Sequence, residues 1–423
     1  MTTHLPKSRK RSGILLLALG IPTAYLAAQP PPPALTTLYS FTGQDGDGAL
    51  PYAALTLSSG GTLLGTTGYG GTYGDGTVFK LTPPTGGGNW TEAVLHSFSG
   101  KDGSFPYAGV IVNSKGVLFG TTTFGGAFGQ GVVFQLAPPT APGGVWTETV
   151  LHSFMGSDGA YPYAGLTVTA SGTLYGTTEL GGASNAGTVF SLTPPPGPGK
   201  TWTEAVLYSF TDGNDGGFPY GGLLRANNGV LYGTTNFGGA NGVYGTVFEL
   251  APPSGTGSWT ESTLYSFTGT GGGNPFGTLT MGASGSLYGT SAGGLGDGSG
   301  TVFKLQPPTS PGGTWTPSLL YTFKGSSDGD HPRGGVVVTP SGTSFGTTFA
   351  GGTGMAYLGY GTVFELTPGA PGQPWTETVL YTFTGGADGA YPNGALVATS
   401  NGLYYGTTLS GGTGQGTVFS LVP

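Results

Sequence analysis

The amino-acid sequence predicts an all-β protein, and within that class a seven-bladed β-propeller built from four-stranded antiparallel blades. Three observations support this: a motif that recurs seven times, four strand-like segments in each period, and chain ends that complement each other. The motif is Leu or an aromatic residue followed by Gly-Thr-Thr, and its glycines are Gly65, Gly120, Gly176, Gly233, Gly289, Gly346 and Gly406. A fixed period is the signature of a repeat architecture, and a propeller blade needs roughly 40–50 residues. The observed steps of 55 to 60 residues accommodate a blade with longer loops.

Each period contains four short segments rich in Val, Leu, Thr, Tyr and Phe, bounded by turn-forming residues, which is typical of β-strands. In the second copy they are Tyr107–Val112, Val117–Thr122, Gly131–Leu136 and Trp146–Phe154. Asn113–Gly116 predicts a tight hairpin turn, and Gly125-Gly126 begins the next turn. Pro138 ends the third strand because proline cannot donate a hydrogen bond to the ladder.

The two chain ends predict how the ring of blades closes. The repeats begin with Leu35–Phe41, a fourth strand that has no blade before it, and end with Gly416–Leu421, a third strand that has no fourth strand after it. We therefore expect the N-terminal strand to complete the last blade. Closure of this kind leaves no open sheet edge.

The composition fits a propeller of buried strands joined by many turns. The chain has 88 glycines and 33 prolines among 423 residues, and only 7% of its residues are charged. Cysteine is absent, so the sequence excludes disulfides, thiolate metal sites and a cysteine nucleophile.

The N-terminus predicts export. Basic residues from Lys7 to Arg11 precede the apolar run Gly13–Ala28, which is typical of a secretory signal peptide. We expect a signal peptide at residues 1–28, a proline-rich linker at 29–34 and the propeller at 35–423, with an extracellular or periplasmic location and no membrane span in the mature chain. Removal of the signal peptide leaves 8 basic and 19 acidic residues, which gives a net charge of −11. This charge disfavours nucleic acid and anionic membranes as partners.

The repeated unit GTLYGTT-x-x-GG-x(4)-GTVF-x-L-T-P, best represented by Gly61–Pro83 and Gly172–Pro194, resembles the bacterial GloVer-type tandem repeat. The resemblance extends from about Leu35 to Leu421. It implies an exported, surface-associated protein and brings no activity or catalytic residues with it. Such proteins carry varied C-terminal anchors, whereas only Val-Pro follows Leu421 here. A weaker likeness to kelch propellers rests on the double glycine after the second strand.

The predicted topology brings one residue of each blade to the upper mouth of the central channel. In a four-stranded blade, the connection from the preceding blade lies on the same face as the loop between the second and third strands, here called the upper face. The first strand of each blade then lines the channel. Its opening residues are Tyr52, Tyr107, Tyr163, Tyr220, Phe276, Arg333 and Asn393. A concave site of aromatic rings with a few polar groups is a common place for a ligand to bind, and packing between blades is the structural alternative.

An aspartate recurs in the connections between blades, in the pattern Asp-Gly-x-x-Pro. The positions are Asp47, Asp102, Asp158, Asp215, Asp328 and Asp388, and the fifth copy has Gly271 instead. Two interpretations remain open: a ring of carboxylates that binds cations or sugar hydroxyls, or a residue that sets its own turn, as Asp-Gly sequences do. His96 and His152 occupy a slot that tyrosine fills in the other copies, and we interpret them as substitutes for it.

The sixth copy departs most from the repeat, and departures are informative because the stability of a blade does not require them. The stretch Asp328-Gly-Asp330-His331-Pro-Arg333 replaces the usual run of Asp-Gly followed by aromatic residues. The following double-glycine loop is extended and includes Tyr357 and Tyr360, among others. His331 and Asp330 suit acid–base chemistry, and Arg333 suits binding of a carboxylate. Drift in a solvated loop is the structural alternative.

The sequence therefore favours an exported, non-catalytic binding or scaffold propeller whose upper face binds a glycan or a cell-envelope protein. A polysaccharide hydrolase or lyase acting at the channel mouth and a purely structural envelope protein are the two alternatives. With no Ser-His-Asp order, His-x-x-x-His pair or phosphate loop, we predict no catalytic residue, no metal site and no cofactor. The sequence leaves the oligomeric state open.

Overall fold

The propeller occupies Pro33–Pro423. The computed structural model describes residues 1–2 and 32–423, except 142, 198–199, 241, 294–297, 311, 353–358 and 371. Seven four-stranded antiparallel sheets make up the fold, which confirms the predicted seven-bladed propeller. The signal peptide at residues 1–28 and the linker at 29–34 stay predictions. Across the described residues, no helix is long and apolar enough to cross a membrane.

The strands of each blade follow the chain from the channel outward. The innermost strands are Thr56–Leu57, Ile111–Val112, Thr167–Val168, Leu224–Arg225, Thr280–Met281, Val337–Val338 and Val397–Ala398. The second strands are Leu63–Thr67, Leu118–Thr122, Leu174–Thr178, Leu231–Thr235, Leu287–Ser291, Ser344–Thr348 and Tyr404–Thr408. The third strands are Thr77–Thr82, Val132–Ala137, Thr188–Thr193, Thr246–Ala251, Thr301–Gln306, Thr362–Thr367 and Thr417–Val422. The outermost strands are Thr91–Ser97, Thr147–Ser153, Thr203–Ser209, Thr260–Ser266, Thr316–Thr322, Thr376–Thr382 and Ala34–Ser40.

The innermost strands are much shorter than the sequence predicted. In the second blade only Ile111–Val112 pairs with the neighbouring strand, instead of Tyr107–Val112. The four preceding residues run along the channel, where a Cβ added to Gly109 would lie 2.5 Å from the carbonyl oxygen of Ala54 in the neighbouring blade. Crowding at the axis therefore leaves these residues packed between blades rather than paired within one. The outermost strand of this blade also begins one residue later than predicted, at Thr147.

The N-terminal strand closes the ring, as predicted. Ala34–Ser40 pairs antiparallel with Thr417–Val422 in the last blade, with Leu35 opposite Leu421. Phe41 then packs edge-on against Phe79 of the first blade, at a centroid distance of 5.0 Å. The chain therefore joins the last blade to the first with the same contact that joins the other blades.

The hydrophobic core lies between adjacent blades and is divided into seven clusters. At each seam a buried phenylalanine after the outermost strand meets a buried phenylalanine on the third strand of the next blade, as Phe154 meets Phe190 at 5.0 Å. The ring of Phe190 also covers Gly176 of the repeated motif, where an added Cβ would lie 2.6 Å from the ring. The glycine of the motif is thus required because a phenylalanine occupies the space of its side chain.

Short backbone pairings hold the upper face together. Gly48–Ala49 pairs with Tyr69–Gly70, and isolated bridges such as Ala160 with Leu180 occupy the same place in other blades. These pairings join each blade connection to the double-glycine loop, so the two lie on one face as predicted. A short 3-10 helix, Ala283–Gly285, interrupts the turn after the innermost strand of the fifth blade.

Candidate functional site

The seven residues predicted at the channel mouth come together around one central cavity of about 500 Å³. They are Tyr52, Tyr107, Tyr163, Tyr220, Phe276, Arg333 and Asn393, here called the channel ring. Small residues that follow them, mainly glycine and alanine, line the rest of the cavity. A ligand that enters the channel would therefore meet the aromatic side chains of the channel ring.

A proline directly precedes each residue of the channel ring. The residue before that proline has a left-handed backbone in all seven blades, at Leu50, Phe105, Tyr161, Phe218, Asn274, His331 and Tyr391, with φ between 53° and 60°. This conformation is uncommon for bulky residues and disfavoured before proline. Tyr161 illustrates what sustains it: its N–H donates to Gln130 of the preceding blade at 2.9 Å, and its carbonyl accepts from Glu179 at 3.1 Å.

The first threonine of the Gly-Thr-Thr motif forms a hydrogen bond with the backbone that lines the channel in the next blade. The hydroxyl of Thr66 donates to the carbonyl of Ala108 in the next blade at 2.8 Å, and Thr121 bonds Ala164 at 3.0 Å. The same bond closes the circle from the last blade to the first, from Thr407 to Ala53 at 2.9 Å. The recurrent motif therefore positions the channel ring and explains why the threonine is buried.

The aromatic members of the channel ring touch one another in sequence. Tyr52 and Tyr107 lie edge-on at 4.5 Å, and Tyr107 and Tyr163 are stacked at 5.4 Å with an interplanar angle of 8°. Tyr163 and Tyr220 follow at 5.1 Å, and Tyr220 and Phe276 at 5.1 Å. Burial raises the pKa of the phenols of Tyr52, Tyr107, Tyr163 and Tyr220, so they are neutral hydrogen-bonding groups at ordinary pH.

Arg333 and Asn393 complete the channel ring with polar groups. The guanidinium of Arg333 lies 3.7 Å from the ring centroid of Phe349 and 6.0 Å from that of Phe276. Burial lowers its pKa, and the phenol of Tyr52 acts in the opposite direction. The amide of Asn393 donates to the carbonyl of Tyr52 at 3.0 Å, which fixes its carboxamide at the joint between the last and first blades.

Sequence analysis missed a second layer of residues behind the channel ring. These residues directly follow Gly-Thr-Thr (Gly-Thr-Ser in the fifth blade) and are Gly68, Thr123, Glu179, Asn236, Ala292, Phe349 and Leu409. Glu179 accepts a hydrogen bond from the phenol of Tyr220 at 2.5 Å, and burial raises the pKa of its carboxyl group. The signal was present in the sequence: this position varies from blade to blade while the motif beside it is constant.

An aromatic rim surrounds the channel ring on the upper face. Phe105 contacts Tyr69 at 4.9 Å, and Phe124 contacts Tyr161 at 5.0 Å. Tyr360, predicted from the extended loop of the sixth blade, is exposed and lies 5.8 Å from Tyr391. Its predicted companion Tyr357 falls outside the described residues.

His331 and Asp330 form a close pair beside the channel ring. Asp330 is 0% exposed, and its Oδ1 lies 2.6 Å from Nδ1 of His331, whose side chain is 34% exposed. Asp330 occupies a position that holds alanine, serine or glycine in the other blades. The buried carboxylate thus lies directly against a partly exposed imidazole at the channel mouth.

The recurrent aspartates lie away from the channel, at the joints between blades. Asp328 accepts hydrogen bonds from the backbone N–H of Lys324 at 3.1 Å and from the phenol of Tyr321 at 3.0 Å. At other joints histidine replaces tyrosine, as where Nε2 of His96 lies 2.9 Å from Asp102. These contacts favour the turn-setting interpretation for Asp328, as for the aspartates at the other joints.

Three further side chains are spaced like the ligands of a metal ion. Side-chain atoms of His152, Asp158 and Glu204 lie within 4.8 Å of one another. Burial, with the charge of Asp158, raises the pKa of Glu204 to about 7. Because His152 and Asp158 are already hydrogen-bonded at 2.8 Å, and tyrosine replaces the histidine at other joints, the group is explained by its place in the blade joint.

Comparison with known families identifies the repeat. The model of the Gloeobacter/Verrucomicrobia repeat matches residues 23–167 and 140–316. These overlapping matches cover more than half of the chain, so this protein belongs to the Gloeobacter/Verrucomicrobia repeat family. The resemblance inferred from the motif is thereby confirmed. A comparison with curated protein sequences gave no match.

Solved structures share the fold at low sequence identity. A PL25 ulvan lyase bound to -[GlcA(1-4)Rha3S]- is 11% identical with a TM-score of 0.53, over 90% of this chain and 95% of that one. The polysaccharide lyase Uly1 is 12% identical with a TM-score of 0.50, over 95% and 94%. A protein described as a 6-phosphogluconolactonase, from Bacteroides uniformis ATCC 8492, is 14% identical with a TM-score of 0.50, over 82% and 88%. At these identities the likeness shows the fold alone.

Proposed function

We propose that this protein is an exported, non-catalytic propeller that binds a glycan at the upper mouth of its central channel. The observation that carries the proposal is the channel ring, in which five adjacent aromatic side chains and two polar ones surround a cavity of about 500 Å³. Clefts of this size, apolar with a few placed polar groups, are typical ligand sites.

The chemistry of the channel ring suits a sugar better than the other ligands considered. Aromatic faces pack against the apolar C–H faces of pyranose rings, while phenol and amide groups reach hydroxyls. An aromatic cage alone would also suit a quaternary ammonium ion, but the positive charge of Arg333 in the same ring opposes a cation. The exposed aromatic rim, including Tyr69 and Tyr360, extends the surface beyond one sugar unit.

The fold comparisons are consistent with this proposal without carrying it. Two of the structures that share the fold are polysaccharide lyases, so the architecture is compatible with saccharide ligands. The aspartate ring gives no independent support, because its carboxylates are engaged at the blade joints.

A second candidate function, a polysaccharide hydrolase or lyase, is favoured by one observation. The close contact between the buried Asp330 and His331 is the kind of pairing that prepares an imidazole for general base catalysis. Incubation with polysaccharides, followed by assay of reducing ends and of unsaturated sugars, tests this directly. Activity that is lost in His331→Ala would replace the binding proposal with an enzymatic one.

A glycan array probed with the labelled, purified protein tests the first proposal. We expect binding to a limited set of glycans, and loss of that binding in Tyr163→Leu, which keeps an apolar side chain but removes its aromatic face. The matched control is Tyr73→Leu, because Tyr73 is exposed and lies outside the cavity lining. Absence of any glycan binding by the wild-type protein would contradict the proposal and favour a purely structural role.

A further inference from the structure

Arg333 stands in a ring slot that aromatic residues fill in five of the seven blades. Among the residues that the structure describes, none accepts a hydrogen bond from Arg333 or forms an ion pair with it. Its Nε is buried without a partner. A guanidinium carries five donors, and a half-buried donor without an acceptor is unfavourable. The side chain thus presents unsatisfied donors and a positive charge at the cavity wall.

The position of Arg333 is maintained by a second departure in the same blade. Phe349 follows the Gly-Thr-Thr motif, where the other blades carry Gly, Thr, Glu, Asn, Ala or Leu. Its ring lies under the guanidinium at 3.7 Å and stacks on Tyr391 at 5.2 Å, with an interplanar angle of 28°. This stack holds the planar guanidinium at the wall of the cavity.

We propose that Arg333 binds the acidic group, a carboxylate or a sulfate, of an anionic saccharide whose sugar rings pack on the neighbouring aromatic residues. This inference rests on the proposed glycan-binding function and names the class of glycan. A planar guanidinium pairs with a carboxylate through two parallel hydrogen bonds. The ligand supplies the acceptors that the protein itself lacks at this point.

The net charge of the rest of the molecule supports this inference. Removal of the predicted signal peptide leaves a net charge of −11, which repels an anion at long range. An acidic glycan would therefore need a specific local contact, and the cavity lining contains one cation among its described residues. Glu179, which lies behind the channel ring, is hydrogen-bonded to Tyr220 rather than to Arg333.

The test is calorimetric titration of the full-length protein with matched pairs of oligosaccharides. One set pairs uronate-containing hexasaccharides with their carboxyl-reduced forms, and another pairs sulfated hexasaccharides with their desulfated forms. We expect at least one acidic member to bind about tenfold or more tightly than its neutral partner, since charge-assisted hydrogen bonds contribute about 1.5–3 kcal/mol. The set in which the preference appears distinguishes a carboxylate from a sulfate ligand.

Three variants make the assignment specific. Arg333→Gln is expected to reduce binding of the acidic glycan to the level of its neutral partner. Arg333→Lys, which keeps the charge but loses the planar fork, should retain part of the preference. Arg225→Gln, at an exposed arginine, is the matched control and should change nothing. Thermal melts confirm that each variant is folded.

The outcomes separate this inference from the function on which it rests. Equal affinity for acidic and neutral partners, unchanged in Arg333→Gln, would overturn the inference and leave glycan binding intact. An acidic preference that survives in both Arg333 variants would also overturn it. Failure of every saccharide, acidic and neutral, to bind the wild-type protein would overturn both proposals.

Discussion

Nε2 of His152 lies 2.8 Å from Oδ2 of Asp158, and this contact links the outermost strand of one blade to the connection that leads into the next. The other oxygen of Asp158 accepts from the backbone N–H of Met155 at 2.9 Å. Where the histidine is replaced, tyrosine makes the same bond, as Tyr381 does to Asp388 at 3.1 Å. The repeated aspartate thus connects adjacent blades through hydrogen bonds, and it is present at six of the seven joints.

Replacement of one such aspartate should weaken the fold. We expect Asp158→Asn to lower the free energy of unfolding by about 1–3 kcal/mol, because a charged acceptor of two hydrogen bonds is lost. Denaturant titration measures the change. Asp45→Asn is the matched control, at an exposed aspartate in another blade connection. An equal effect of both substitutions would argue against the role assigned to Asp158.

A half-buried glutamate accompanies the aspartate at five joints. The glutamates are Glu92, Glu148, Glu204, Glu261 and Glu377, and burial together with the nearby aspartate raises the pKa of each from 4.5 to about 7. The fifth blade lacks both acids, with Gly271 and Pro317 in their places. The last blade keeps Asp388 but has Leu35 in the place of the glutamate, so the glutamate occurs only where the aspartate is also present.

This pairing predicts that stability falls as pH rises. A group whose pKa is raised by folding stabilises the native state below its unfolded pKa, near 4.5, and loses that contribution as pH rises through about 7. We therefore expect a lower melting temperature at about pH 8 than at about pH 5. Replacing all five glutamates with glutamine should flatten the profile, because glutamine does not ionise. A melting temperature that rises across this interval in the wild type would contradict the account.

Much of the fold could be predicted from the sequence because the same pattern of strand and turn residues recurs in seven copies. The N-terminal strand and its place in the last blade followed from the complementary ends. The length of the innermost strands could not be predicted, since crowding around Gly109 arises only when seven blades meet at one axis. The contact between Arg333 and Phe349 could not be predicted either, because the fold brings these two residues together and their spacing along the chain does not show it.

The contact between the motif glycine and a phenylalanine predicts a second stability effect. In the fourth blade a Cβ added to Gly233 would lie 2.5 Å from the ring of Phe248, which is fully buried. We expect Gly233→Ala to destabilise the protein by about 1–3 kcal/mol, as overpacking of a core does. Phe248→Leu should partly relieve the effect in the double variant. Additive losses in the double-mutant cycle would show that the two residues do not compete for space.

The N-terminal strand predicts the effect of a truncation. Removal of Ala34–Ser40 would uncover Thr417–Val422 and create an exposed sheet edge, which promotes aggregation. We expect the shortened protein to unfold at lower temperature and to self-associate, whereas a chain beginning at Pro33 should remain monodisperse to the same degree as the full-length protein. Light scattering during thermal denaturation measures both. Identical behaviour of the two truncations would contradict closure by this strand.

The central claim is that the channel ring binds the glycan, and it is tested most directly by calorimetry with the strongest glycan from the array. The measurement compares the wild type with Tyr107→Leu/Tyr163→Leu, which removes the stacked pair at 5.4 Å while keeping apolar side chains there. Aromatic contacts contribute about 0.5–1.5 kcal/mol each, so the loss of two should lower the affinity about fivefold or more. Unchanged affinity in a folded double variant would place the binding site elsewhere and contradict the account.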